Sequence, residues 1–178
     1  MSQGFRLHIL NPLQNPFPGE LRQFRPKMIY DKMISDWLQG YDLTKAFFTI
    51  EADQIQVFRR ADWSFILTEE VCWQLVYKFR FFRLVTLESM VCSLSGVVFV
   101  LSLGNHQIAG FFSFRGSARG YFLPVIDVEQ VGQQLILHLR PHTGCWAGWK
   151  PDSVAEQRLG LDMDEVEEFF RSQDKLVE

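Results

Sequence analysis

Residues 84–103 constrain the fold more than any other stretch, because twenty consecutive residues carry a single charge, Glu88. A helix that crosses a membrane needs about twenty predominantly apolar residues. Here four serines, Thr86, Gly96 and a glutamate dilute the run, and its Val97-Val98-Phe99-Val100 core is mostly β-branched. Gly104-Asn105 comes next as a turn signal. These features favour two buried strands, 87–93 and 97–103, and no stable membrane span.

The same alternation of strand-length segments and breaks runs through most of the chain. A short strand near 5–10 precedes a proline-rich stretch, 11–19, which reads as an extended arm because three prolines fall in seven residues. Pro26 opens a predicted helix to about Gln39, with Ile29, Met33 and Trp37 on one face and Gly40 at its end. Strands are expected at 46–51, 55–59 and 63–67. Thr68, Glu69 and Glu70 then form a capped first turn for a helix burying Val71, Cys72, Leu75, Val76 and Phe79. Further strands are expected at 108–114, 121–128 and 134–139, with 104–107 as a four-residue hairpin loop that puts His106 at its tip. Ser153 starts a short helix closed by Gly160. Asp164 and Glu167 are expected to cap a last helix that buries Val166, Phe169 and Phe170.

Strands that are mostly consecutive, about eight of them with about four helices, define an α+β class with a mainly antiparallel or mixed sheet. The 178 residues suffice for one domain with a genuine core. Residues 1–25 read as a proline-rich arm and 162–178 as an acidic terminal helix. Phe dominates the aromatic residues, 17 against 4 Tyr, so most rings belong to the core. A net charge of −3 argues against nucleic-acid binding by bulk electrostatics and leaves only a local basic groove for DNA. The three cysteines, Cys72, Cys92 and Cys145, form no close pair, and no apolar leader opens the chain. The expected location is the cytoplasm of a bacterium.

One loop carries a hint of chemistry. Phe114-Arg-Gly-Ser-Ala-Arg119 breaks an aromatic run with small residues and two guanidinium groups. Gly116 and Ser117 let backbone N–H groups approach an anion, and Arg115 and Arg119 supply forked donors. The competing reading is a tight, polar connection whose arginines face water. The F-x-G-x-x-R pattern, with Pro124-Val125 in the next strand, resembles the phosphate-binding loop of the ParB/sulfiredoxin superfamily. Gly116, Ser117 and Arg119 are the matching positions, and the likeness covers about twenty residues. Ser117 stands where sulfiredoxins carry their nucleophilic cysteine, so sulfinic-acid reduction is not expected. There is also no room before the next strand for the helix that comes after the arginine in that family.

Small acidic members of that superfamily include the plasmid fertility-inhibition proteins. The resemblance implies ATP or another nucleotide as ligand, with Mg²⁺, and ATPase and DNase-type hydrolysis that blocks conjugative or T-DNA transfer. It also implies a protein partner in a conjugation or type IV secretion system. Such hydrolysis needs charge neutralisation and an oriented water. Arg119 and Arg115 would supply the first; Asp127, Glu88, Glu69 or Glu70 would hold a metal ion or the water, and the metal itself is not readable. The alternative is a non-catalytic immunity or inhibitor protein that binds its partner through the acidic last helix and the Trp146/Trp149 loop. His138, His142 and Cys145 fall short of a zinc set, since Pro141 separates the histidines and no further Cys or His is near.

Overall fold

Thr86 starts a helix where the sequence pattern predicts a strand. In the computed structural model its side chain accepts from the Ser89 amide at 3.2 Å, while Ser89 Oγ accepts from the Thr86 amide at 2.8 Å. That reciprocal cap opens a helix over Leu87–Leu94. Leu87, Met90 and Leu94 are buried at spacings of three and four, the helical repeat, and the β-branched residues begin only at Val97. The stretch 84–103 therefore supplies one helix and one strand. The structure describes residues 4–11, 36, 41–80, 86–114, 124–141, 151 and 153–178. The predicted arm beyond Asn11 lies outside them, as does all of the helix expected at 26–39 except Asp36, which is helical.

Nine strands form one mixed sheet: β1 (Arg6–Ile9), β2 (Phe48–Glu51), β3 (Ile55–Arg59), β4 (Ser64–Leu67), β5 (Val98–Leu103), β6 (His106–Phe114), β7 (Val125–Val131), β8 (Gln134–Arg140) and β9 (Leu176–Val177). Their order is β2-β1-β5-β6-β7-β8-β4-β3-β9. Pairing is antiparallel except between β6 and β7 and between β3 and β9. The described helices are α1 (Glu69–Phe79), α2 (Leu87–Leu94), α3 (Ser153–Leu159) and α4 (Met163–Arg171). The α+β class stands, in a sheet one strand larger than expected.

The sheet curls. β1 and β4 are five places apart in the strand order, about 24 Å across a flat sheet at roughly 4.8 Å per strand. Yet the rings of Phe5, at the start of β1, and Phe65 of β4 lie 5.1 Å apart. Phe170 of α4 sits among them, 5.1 Å from Phe5, 5.3 Å from Phe58 and 5.9 Å from Phe65. The apolar face thus wraps a common core, into which α1 places Val71, Cys72, Leu75, Val76 and Phe79 as its sequence predicts. The alternate side chains of the same strands face the other way, where a smaller apolar cluster (Leu10, Val98, Val100, Ala109, Phe111) covers part of the sheet.

Turn chemistry sets the register. Pairing continues to Leu103↔His106, so the β5–β6 turn is Gly104-Asn105 alone and His106 belongs to the strand, not to the tip of a four-residue loop. Gly104 at φ +58° makes so short a turn accessible. At α4 the cap is Asp162, whose Oδ1 accepts from the Asp164 and Glu165 amides at 3.0 and 3.3 Å, rather than Asp164. Glu167 is buried in an ion pair with Arg60 at 3.0 Å instead of reaching back to a cap. The helix ends at Arg171, and beyond it Lys175 Nζ donates to the Ala52 and Asp53 carbonyls at 2.8 and 3.2 Å as Leu176–Val177 joins β3.

Two substitutions test this packing. A Cβ on Gly110 would lie 1.8 Å from the Pro124 carbonyl oxygen, where β7 draws up beside β6. Gly110→Ala is expected to cost about 1–3 kcal/mol or more, because backbone must move to relieve the clash. Phe170→Ala is expected to cost about 3–5 kcal/mol, since three rings lose their common neighbour. Urea unfolding reads both; an unchanged midpoint for either would contradict the packing.

Candidate functional site

Side chains alternate across a strand, so the residues that turn away from the core are set by the same register that builds it. On that outer face, successive partners read Arg59↔Ser64↔His138↔Asp127↔Ser113, a straight polar row across β3, β4, β8, β7 and β6. Glu129 and Arg140 flank it, two residues along β7 and β8. Ser113, His138, Arg140 and Ser64 are buried, so each polar group there needs a partner.

The turn between β3 and β4 supplies the central partner. Asp62 accepts from Ser64 Oγ at 2.6 Å and from Arg59 Nη2 at 3.1 Å, and its Oδ2 lies 3.5 Å from His138 Nδ1. Arg59 Nε donates to Ser64 Oγ at 2.8 Å. The other imidazole nitrogen, Nε2, meets Glu129 Oε2 at 2.9 Å. Beside this group Arg140 Nε lies 2.8 Å from Asp127 Oδ2. The residue after Asp62, Trp63, is buried in the left-handed region at φ +48°, ψ +48°. A bulky residue there costs on the order of 1–3 kcal/mol, held in place by the packed indole and by the Leu139 amide donating to its carbonyl at 3.0 Å. That strained corner is what aims Asp62 at His138.

The chemistry available depends on where the protons go. Ser64 gives its proton to Asp62, and His138 contacts two carboxylates and not the hydroxyl, so the three do not form a nucleophilic relay. His138 is instead an acid–base group between carboxylates. Burial holds its pKa below the ordinary value of 6.5, partly opposed by the hydrogen bond its ring donates to Glu129 and by the charge of Asp62. Three carboxylates (Asp62, Asp127, Glu129) face two guanidiniums (Arg59, Arg140), so an anion bound here would need cations from elsewhere.

Of the residues the sequence singles out, Asp127 lies in this row, held by Arg140. Glu88 is exposed on the first turn of α2, which packs on the apolar side of β6 and β7, so the sheet separates it from Asp127. Glu69 and Glu70 are exposed on the first turn of α1. Arg115, Gly116, Ser117 and Arg119 lie outside the described residues, as do His142, Cys145, Trp146 and Trp149. The strands on either side of that loop are described, and they are adjacent and parallel. Phe114 pairs with Val128, so Glu129, with His138 against it, stands one residue beyond the end of β6 from which the loop departs. Arg59, Asp62, Ser64, Glu129 and Arg140 escape a motif search. For Glu129 and Arg140 the signal is the alternation of Asp127 with Glu129 in β7 and of His138 with Arg140 in β8, polar residues spaced by two among apolar ones.

A second polar row, Glu51↔Arg6↔Ser102↔Gln107, crosses β2, β1, β5 and β6 at the other end of the sheet. With His8 and Thr49 it lines a cavity of about 380 Å³. Arg6 Nε donates to Glu51 at 3.0 Å, and His8 Nδ1 is 3.0 Å from Thr49 Oγ1. Burial, with Arg6 nearby, lowers the His8 pKa against the opposing charge of Glu51. Among the described residues, no group of three or more His, Cys, Asp or Glu is placed to hold a metal ion, and no helix is long and apolar enough to cross a membrane.

Both buried imidazoles have a pH consequence. Their folded pKa values are depressed, so in acid the unfolded chain takes up protons before the folded one does. Stability is complete above pH 6.5 and is lost as pH falls below that value towards the folded pKa values. The melting temperature should therefore drop between about pH 7.5 and 5.5, and the drop should shrink in a His8→Gln/His138→Gln double variant. An equal drop in that variant would assign the acid sensitivity to other groups. No family model, curated protein or solved structure matches the chain.

Proposed function

We propose that the chain binds a nucleotide or another phosphate-bearing ligand where β6 ends. The observation that carries this is the register that sets Glu129 one residue past Phe114, at the departure point of the 115–120 loop, with the His138 imidazole against its carboxylate. The loop's arginines, Arg115 and Arg119, supply the positive charge that the described cluster lacks, and Gly116 and Ser117 supply accessible backbone N–H groups. A ligand outside the carboxyl end of a parallel strand is the common arrangement in sheets with parallel pairs. His138 is the acid–base group beside it, and Asp127, paired with Arg140, is the carboxylate that would turn to a Mg²⁺ ion carried in with a nucleotide. Glu88, across the sheet, has no part in this site.

ATPase and DNase-type hydrolysis that interferes with conjugative DNA transfer extends this reading. It rests on the likeness of Gly116, Ser117, Arg119 and Pro124-Val125 to the ParB/sulfiredoxin loop of plasmid fertility-inhibition proteins. A second reading, a non-catalytic immunity or inhibitor protein, is favoured by the exposed acidic face of α4, formed by Asp164, Glu165 and Glu168.

Thermal shift with ATP and Mg²⁺ separates the two. At a ligand concentration about a hundred times its Kd, binding adds roughly 2.7 kcal/mol of stability. The wild-type chain is expected to gain it, and Arg119→Ala to lose that gain with its unliganded melt unchanged. A response to no nucleotide favours the partner-binding reading, and a fully responsive Arg119→Ala chain removes the loop from the site.

A further inference from the structure

The cavity at the β1 end of the sheet gathers polar groups for which the fold supplies no partner. Strand alternation puts Arg6 and His8 on the outer face of β1, with Ser102 beside them on β5 and Gln107 on β6. Leu43 and Thr44, from the turn before β2, close one side. His8 and Ser102 are each only 8% exposed, and both line this space of about 380 Å³. Polar groups so buried are normally hydrogen-bonded. Yet among the described residues neither the Ser102 hydroxyl nor the Gln107 amide has a hydrogen-bond partner. The His8 imidazole meets Thr49 Oγ1 through Nδ1 at 3.0 Å, and its Nε2 likewise has no partner there. Neither His8 Nε2 nor Ser102 Oγ is sealed from solvent.

Charge at the site is already balanced. Arg6 Nε donates to Glu51 at 3.0 Å, so this pair requires nothing from a ligand. An anion drawn to Arg6 meets Glu51, and a cation drawn to Glu51 meets Arg6. The imidazole adds no charge at neutral pH, because burial and the nearby Arg6 hold the His8 pKa below 6.5. Three uncharged hydrogen-bonding groups remain. We propose that this cavity binds a small neutral polyhydroxylated ring of the monosaccharide class.

A hydroxyl group fits all three positions. It donates and accepts at once, so it complements either tautomer at His8 Nε2, either end of the Gln107 amide and the Ser102 hydroxyl. Neighbouring hydroxyls on one ring also suit the layout. Ser102 and Gln107 are direct cross-strand partners, about 5 Å apart, and His8 stands diagonally from Ser102 at roughly 7–8 Å. Among the described residues no Phe, Tyr or Trp lines the cavity, so a nucleobase would find no ring to stack on. Leu43, anchored in the outer apolar cluster, offers an apolar contact to the C–H groups of a sugar. At about 30 Å³ per water the space equals about a dozen waters, enough for one sugar ring.

Isothermal titration calorimetry with D-glucose, D-galactose, D-mannose and D-ribose tests this, beside the uronic acids and amino sugars of the three hexoses. At least one neutral sugar is expected to bind with a Kd of about 0.1–10 mM, as a few neutral hydrogen bonds allow. The charged hexose derivatives should bind at least about tenfold more weakly than the best neutral sugar. Ser102→Ala and Gln107→Ala should each weaken binding about three- to tenfold. Gly4→Leu should abolish it, because Gly4 lines the cavity and a Cβ there meets nothing within 4 Å, leaving the added side chain free to occupy the space. Thermal melts matching the wild type certify that the variants fold. Arg119→Ala, in the loop beyond β6, should bind the sugar unchanged. No neutral sugar bound at about 50 mM, a charged sugar bound more tightly than every neutral one, binding that survives all three cavity substitutions, or binding lost in Arg119→Ala would each overturn the proposal.

Discussion

The aromatic knot formed by Phe5, Phe58, Phe65 and Phe170 is the contact on which the rest of the molecule depends. It joins the start of the chain, two strands from the far half of the sheet and a helix near the end, so it forms only when the sheet has curled. The curl converts nine strands into a shell with one lined interior, and α1, α2 and α4 contribute to that interior. A flat sheet of the same strands would leave Phe5 and Phe65 on one face but about 24 Å apart. Twisted sheets approaching ten strands seldom stay open and flat, and these four rings fix where this one bends.

Wrapping the apolar face inward also fixes what lies outside. Every strand that contributes Leu, Ile, Val or Phe to the core must present the intervening residues on the reverse, and at both ends of the sheet those residues are polar. Partial burial then forces them to satisfy one another. Arg140 beside Asp127 shows the balance: each loses water on burial, and their attraction offsets that loss rather than adding stability. Removing either would strand a charge. The two rows are thus products of strand register, and the ends of the sheet differ in kind. One row balances Arg6 against Glu51, while the other holds more carboxylates than cations and gathers beside the departure point of a basic loop.

How much of this the sequence showed depended on the range of the forces involved. The start and the buried face of helix α1 were legible to the residue, because Thr68, two glutamates and a repeating apolar stripe all act within four residues. Helix α2 was not, because its apolar content resembled a strand and its start depends on the modest pair Thr86 and Ser89. Asp127 was visible as a carboxylate near the loop, but its partner Arg140 lies across a hairpin. His138 stood out only as a failed zinc ligand, since Asp62 and Glu129 reach it from separate turns and strands. The curl itself left no local trace: nothing near Phe5 announces a ring sixty residues away.

The two-residue strand β9 bears on how the sheet breathes. It covers the outer edge of β3 with the Leu176–Val177 register, the Phe58 amide donating to the Lys175 carbonyl, the Lys175 anchors to the Ala52 and Asp53 carbonyls and an exposed Arg60–Glu178 ion pair. A cover so short can lift away without disturbing the aromatic knot, because Phe170 lies upstream of it. Amide protons on that side of β3 should then exchange with solvent through local opening, while those of β5 and β6 wait for global unfolding. One edge of the sheet is thereby closed by a strand of two residues, the shortest of the nine.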